Sequence, residues 1–432
     1  MTMDALALLM GSFFLMIVIR VPIAFALTVS SIGTLAYLDL PLCSALNQMY
    51  SGINSFPLLA VPFFMLLGRL MNDGGITDRL MKVSDAWVGH IRGGLGHVNV
   101  MVSMLFAGLS GSAAADTAGI GSMIIPTMVR SGFDKPFSVA ITAASSTLGV
   151  IIPPSIMMVV YGALGQVSIG ALFLAGVVPG VMIGLAQMGY CYYRAVRYDY
   201  PRCKRVPMLQ RLKVTFFALP PLCLPMIILG GITMGIFTAT EAAAIAVGVG
   251  LILVLAVYRH IGFRDLPEVF SDAAVGFALP MFLVSGASVM GWIIAYLDTP
   301  QLISDYILSI THSYYGIYAM IVLFLLIMGT FLSPLSTVII FMPILQGLGS
   351  AANLDPIHLG IIVNLTLSLG MITPPYGICL LIGAQLGNIS APRAFVALIP
   401  MLLLALGIIL LGIVFPDLFL FLPKLIMPEA FA

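Results

Sequence analysis

The sequence predicts an all-α polytopic membrane protein, built as an inverted repeat with two re-entrant helical hairpins and two transmembrane helices broken at Pro-Pro pairs. Three observations predict it. The 432-residue chain is 61% hydrophobic and 8% charged, where a soluble domain carries about 25% charge. The stretch "LGVIIPPSIM" (148–157) lies within 58 residues, Pro136 to Tyr193, that contain no Asp, Glu, Lys or Arg, and "LGMITPPYGI" (369–378) restates it 221 residues later. Loops at equivalent places in the two halves differ sharply in basic charge.

Apolar runs predict spans near 4–19, 21–38, 55–70, 136–165 (interrupted), 171–193, 214–231, 240–258, 273–294, 357–387 (interrupted) and 394–415. The N-terminus lacks a basic n-region and a small-residue cleavage site, so it reads as a retained first span. Two further runs, about 95–129 and 316–349, each hold a central Gly/Ser-rich break. Each is too long for one helix and too short for two full spans of ~20 residues. They read as re-entrant hairpins, since irregular backbone at membrane depth needs protein or a wet cavity around it.

Basic residues orient the chain. Seven of the 18 Lys and Arg lie in 194–213, which the positive-inside rule assigns to the cytoplasm. Counting spans outward from there puts Arg69, Arg79, Lys82, Arg92, Arg130, Lys135, Arg259, Arg264 and Arg393 on the same side, and both termini outside. The repeat emerges from the same count. Leu148, Gly149, Pro153 and Pro154 match Leu369, Gly370, Pro374 and Pro375, and Pro62-Phe63-Phe64 faces Pro280-Met281-Phe282. Residues 69–92 carry four Lys/Arg and their counterpart 291–312 carries none, so equivalent segments lie on opposite membrane faces. The expected organisation is a first repeat over 1–200, a basic linker over 201–213 and a second repeat over 214–432. Inverted repeats with matched broken helices are the mark of a secondary transporter with a midplane site. The amphipathic stretch 75–91, with Ile76, Leu80, Trp87 and Ile91 along one side, reads either as a helix in the membrane interface or as one packed on the protein.

Proline has no N–H, so Pro153 and Pro154 take partners from the carbonyls of Gly149 and Val150, and Pro374 and Pro375 do the same to Gly370 and Met371. A hard monovalent cation would satisfy several such carbonyls at once; the competing reading is a kink re-satisfied by neighbouring helices and water. Hydroxyls lie close by at Ser145, Ser146, Thr147 and Thr373. The tip "FAGLSGSAAADTAGIG" (106–121) starts a helix near Ser112, and in "MGTFLSPLSTVII" (328–340) Ser333 reads as an N-cap with Pro334 at the first helical position. Such N-termini offer N–H donors to an anion, unless the small residues serve packing alone. Asp116, at membrane depth, is either functional or a neutral hydrogen-bonded group at the start of the tip helix. Thr238 and Glu241 fit a capping box, and Asn364 and Gln385 either line a pore or bridge helices.

Other chemistry is missing. There is no Walker A loop, HExxH or GxSxG, and five histidines and five cysteines are dispersed, so neither an enzyme nor a metal centre is expected. A net charge of +1 points to no nucleic-acid partner.

The segments "GLSGSAAADTAGIGSMIIPTMVRSGFDKPFSVAITAASSTLGVIIPPSIMMVVYG" (108–162), "TATEAAAIAVG" (238–248) and "GLGSAANLDPIHLGIIVNLTLSLGMITPPYGICLLIGAQLG" (347–387) resemble the large membrane subunit of TRAP transporters, the tripartite ATP-independent periplasmic transporters. The resemblance covers essentially the whole chain, at the length of the large subunit alone. It implies an elevator-type, Na⁺-coupled importer of organic acids in the bacterial inner membrane, with periplasmic termini. It implies two partners, a small four-span membrane subunit and a soluble periplasmic substrate-binding protein. One Na⁺ site would use Ser110, Gly111, Ser112, Gly149, Val150, Ile152 and Pro154. The other would use Gly329, Thr330, Ser333, Gly370, Met371, Thr373 and Pro375. The carboxylate substrate would meet Ser112, Asp116, Ser145, Ser336 and Thr337. Many relatives carry an acid in the second tip where this chain has Ser333, which leaves that site to carbonyls and hydroxyls. The alternatives are a stand-alone Na⁺- or H⁺-coupled organic anion transporter and, more remotely, a channel or intramembrane enzyme.

Overall fold

The computed structural model describes residues 2–431, which are helical throughout with no strand among them. The chain opens with α1 (Thr2–Val18), α2 (Ile23–Tyr37), α3 (Cys43–Ile53), α4 (Ala60–Asp73) and α5 (Ile76–Val88). A helical pair comes next, α6 (Gly94–Ser110) and α7 (Ala113–Arg130), and then α8 (Lys135–Ser146) and α9 (Ile156–Gly165) separated by an irregular stretch. After α10 (Ile169–Arg197) and α11 (Met208–Thr233) come α12 (Ala239–Ile252), α13 (Leu266–Tyr296) and α14 (Thr299–Ile310). A second close pair, α15 (Tyr314–Phe331) and α16 (Pro334–Ala351), precedes α17 (Pro356–Gly370) and α18 (Ile378–Gly387). The chain closes with α19 (Ala391–Val414) and α20 (Pro416–Ile426).

Eight helices among the described residues are long and apolar enough to cross a membrane. Large apolar side chains point outward along α1, α11, α13, α15 and α19, as hydrocarbon-facing helices require. The order of elements recurs: α7 and α16 begin 221 residues apart, as do α8 and α17. Helices α8 and α17 form the centre, buried from Phe137 to Ser146 and from Ile357 to Gly370. A helix that apolar on all sides belongs inside a bundle.

Some boundaries differ from the expected ones. The segment read as a linker over 201–213 is irregular only to Pro207, and α11 begins at Met208. Helices α10, α11 and α13 outrun their predicted spans, because a hydropathy window marks only the part immersed in hydrocarbon. Helices α3 and α20 had no predicted counterpart; both are short and amphipathic, so they give no long apolar run. The apolar face of α5 is buried against α6 and α11, and the Trp87 indole donates to Thr215 Oγ1 at 2.9 Å. The stretch packs on the protein along that face.

Candidate functional site

Each close helical pair ends in a tip set against an interrupted helix. At the first tip α6 stops at Ser110 and Gly111 turns the chain at φ 61°. Glycine adopts that conformation without penalty, and it lets the Pro154 carbonyl approach, since a Cβ here would lie 3.1 Å from that oxygen. Ser112 then caps α7, accepting the Ala115 N–H. At the second tip Ser333 caps α16 ahead of Pro334, accepting the Ser336 N–H at 3.2 Å. The Thr238–Glu241 capping box is also present.

Asp116, in the first turn of α7, is fully buried, and neither carboxylate oxygen has a hydrogen-bond partner among the described residues. Its carboxylate lies against Gly149, where any Cβ would collide with it. The Ser110 hydroxyl at the tip nonetheless interacts with the carboxyl, so its surroundings accommodate a neutral, hydrogen-bonded group as well as a charged one. A negative charge in the first turn complements the helix dipole, but an unpaired buried carboxylate is costly and takes up either a proton or a counter-charge.

The interrupted helices satisfy themselves more fully than their prolines suggest. The Val150 carbonyl accepts from the Ser155 hydroxyl at 2.7 Å and from the Asn364 amide at 2.8 Å. With both lone pairs used, Val150 drops out of the cation ligands. Ile152 donates to the Leu148 carbonyl at 2.8 Å, and its side chain packs towards Gly180. In the second break Met371 accepts the Cys379 N–H at 2.9 Å and Gly370 accepts the Thr373 N–H at 3.3 Å. Each keeps one lone pair, so the expectation of wholly orphaned carbonyls is corrected for Val150, Gly370 and Met371. Ser155 and Cys379 reach the breaks from beyond each proline pair, whereas Thr373 closes a local turn before Pro374 and Asn364 reaches across from α17. Thr373 Oγ1 donates to Leu369 at 2.8 Å. Thr330 accepts the Tyr376 N–H at 2.9 Å, tying tip to break, and Gly370 packs on the Gly329 carbonyl so closely that a Cβ would clash. Both proline pairs are cis. Pro153 and Pro154 are buried, whereas Pro374 and Pro375 are exposed.

Both tips and both breaks meet around one cavity of about 200 Å³. Its lining includes Gly111 to Ala114, Val150, Ile156, Ser333 to Leu335, Met371, Tyr376 and Ile378, closed by Met65 of α4 and Pro280 of α13. The N-termini of α7 and α16 therefore open on the same space.

Of the five substrate candidates, only Ser112 lines it. Ser145 lies away from it, buried between α6 and α8, where it accepts from Ser103 at 2.9 Å within a network that includes Asn99 and Thr142. Ser336 and Thr337 lie outside the lining, with both hydroxyls turned back to Ser333 inside the cap. Asp116 lies behind the tip, among groups suited to a cation and poorly suited to an anion. Ser333 and Tyr376 are cavity residues, and Met65 and Pro280 had gone unassigned. The only hint of the last two was the register between Pro62-Phe63-Phe64 and Pro280-Met281-Phe282. A second cleft of about 260 Å³ shares Met65, Ser112 and Ile156 and reaches Arg69, which pairs with Asp73 at 2.7 Å and Asp272 at 3.0 Å.

Residues 10–418 match the family described as "Tripartite ATP-independent periplasmic transporter, DctM component". The chain is 39% identical over 386 residues to the sialic acid TRAP transporter large permease protein SiaM of Vibrio cholerae, covering 89% of this chain and 90% of that one. It is 37% identical over 377 residues to the C4-dicarboxylate TRAP transporter large permease protein DctM of Pseudomonas aeruginosa, covering 87% and 88%. It is 38% identical over 426 residues to the uncharacterized protein YgiK of Salmonella typhimurium, covering 98% of each. Among solved structures, MtrF of Neisseria gonorrhoeae shares the fold, with a TM-score of 0.58 at 12% identity over 88% of this chain and 84% of that one. Its fold and full-length relatives make this chain an integral membrane permease, with no enzyme among the relatives named here. The chain belongs to the tripartite ATP-independent periplasmic transporter family, as its DctM component, the large permease subunit.

Proposed function

We propose that the chain is the large membrane subunit of a Na⁺-coupled importer that moves a small organic acid across the bacterial inner membrane. The observation that carries this reading is the single cavity onto which the N-termini of α7 and α16 both open. Beside the Ser112 cap the Ala113 and Ala114 N–H groups are left over, and beside Pro334 and the capped Ser336 that of Leu335; with two positive dipole ends they suit a carboxylate, and the Ser112 hydroxyl adds a further donor. Relatives named for sialic acid and C4-dicarboxylates support the acid class.

The residues present fit a coupling cation at the first tip. The buried Asp116 carboxyl, seated against Gly149, would supply a negative charge once a cation is there to pair with it. Ser110, Ser112, Gly111 and Pro154 surround the same turn. The second tip offers only neutral oxygens, from Gly329, Thr330, Gly370, Met371 and Thr373, several already accepting one bond. A cation there is held more weakly, because no formal charge opposes it. Bound Na⁺ supplies the positive charge that lets the anion dwell between the tips. In this reading the two pairs are re-entrant hairpins of an inverted repeat, and they move with the broken helices as an elevator against α4 and α13. A small four-span subunit completes the membrane assembly, and a periplasmic binding protein delivers the acid.

The test is uptake into proteoliposomes that contain the large subunit, the small subunit and the loaded binding protein. An imposed inward Na⁺ gradient should drive accumulation that collapses when Na⁺ is equal on both sides. Accumulation driven by a pH gradient alone would replace this reading with proton coupling.

A further inference from the structure

A basic cleft lies far from the tips, between α5, α11 and the segment after α12. It encloses about 330 Å³ and is lined by Gly75, Asp78, Arg79, Lys82 and His260, with Val214, Phe217 and Ala218 as an apolar wall. We propose that this cleft binds the phosphate of an anionic phospholipid, whose acyl chains run down the outer face of α11. Three observations converge on that ligand.

The basic groups are unspent. Arg79, Lys82 and His260 make no side-chain hydrogen bond or ion pair among the described residues, and Asp78, the one acid on the wall, pairs with none of them. Arg79 is nevertheless held in place, its guanidinium 4.0 Å from the centre of the Tyr258 ring. Stacking of that kind leaves the N–H edge free for a phosphate. His260 is held too, its ring lying over Gly75, where a Cβ would sit 2.9 Å from Nε2. Depth is the second observation. Helix α11 has 26 residues, about 39 Å at 1.5 Å each, against a hydrocarbon core of about 30 Å. Its first turns, which carry Arg211 and Lys213, place that excess of about 9 Å in the head-group layer, and Val214 and Phe217 follow at its boundary with the hydrocarbon. Third, the face beside the cleft is apolar and outward: Phe216 and Phe217 are 71% and 57% exposed, with Met226 further along at 73%. Aromatic side chains at that level anchor helices at the interface, and a basic pocket between helices at the same level selects acidic head groups.

The test is native mass spectrometry of the full chain, stripped of lipid and offered phosphatidylglycerol or phosphatidylethanolamine with identical acyl chains. Phosphatidylglycerol should be retained in preference. Arg79→Gln and Lys82→Gln should each weaken its retention about fivefold, and Arg393→Gln, at a distant exposed position, should leave it unchanged. Lys82 is exposed, so its variant folds and keeps the test decisive even where Arg79→Gln does not. Equal retention by Lys82→Gln and the parent overturns the proposal. Competition by inorganic phosphate would assign the cleft to a free anion instead, and loss of the lipid when the small membrane subunit binds would assign it to that subunit.

Discussion

The side-chain amide of Asn364 donates to the Val150 carbonyl at 2.8 Å, so a residue in the middle of α17 holds the backbone of the break that succeeds α8. The two halves of the repeat are thereby joined at their least regular point. The register equivalent of Asn364 in the first half is Ala143, so the link runs one way only.

Asn364→Ala should lower the stability of the purified protein by about 1–2 kcal/mol, the range for a hydrogen bond between membrane helices. The measurement is thermal unfolding in detergent. An unchanged midpoint would mean that the Ser155 hydroxyl alone suffices for Val150.

Asp116→Asn keeps the shape and removes the charge. A contact charge pair is worth about 4 kcal/mol even at an effective dielectric of 20, so half-saturating Na⁺ for uptake should rise well over tenfold. Na⁺ should also cease to raise the unfolding temperature. A variant that retains the parent's Na⁺ response would remove Asp116 from the cation site.

Gly149→Ala pushes a methyl group into the same carboxylate. Overpacking of a filled core costs about 1–3 kcal/mol, and here the cost falls on the placement of Asp116. Na⁺ affinity should drop more than the affinity of the protein for its acid measured at saturating Na⁺. Equal losses in both would point to general unfolding.

Ser333→Ala removes the cap of α16 and one cavity hydroxyl. Loss of a cap costs about 1 kcal/mol, and the half-saturating concentration of the acid should rise while the Na⁺ requirement changes little. A selective loss of Na⁺ dependence would instead return Ser333 to the cation ligands.

Arg69 and Asp272 cross between α4 and α13 with side chains 45% and 49% exposed. Pairs that accessible contribute about 0–1 kcal/mol. Asp272→Asn should therefore leave the unfolding temperature nearly unchanged; a fall of several degrees would mean that the pair is a structural clamp.

Much of the fold was legible in hydrophobic periodicity and in the placement of proline. The positions of α8, α9, α17 and α18, the tips near Ser112 and Ser333, and the Thr238 cap all obey local rules. The partners of the freed carbonyls were not legible, because the Cys379 N–H and the Asn364 amide reach them only through the tertiary path of the chain. Ser145 misled for the same reason: its distance from Pro153 along the chain is short, but its helical face looks toward Ser103. Met65 and Pro280 were hidden because apolar residues on long apolar helices carry no local mark of a cavity. Helices α3 and α20 escaped because each is too short to fill a hydropathy window.

One proline pair is enclosed and the other is open, in segments that are otherwise near copies. In the elevator motion proposed above those conditions are exchanged, so whatever occupies either segment has to tolerate both a dry and a wet environment. That explains the vocabulary of the two stretches. From Leu148 to Ser155 and from Leu369 to Ile378 there is no Asp, Glu, Lys, Arg or His. Backbone dipoles, hydroxyls and one phenol remain, groups that can be wetted and dried again without gaining or losing a proton. The buried carboxyl of the first half, that of Asp116, is kept one helix away, on α7.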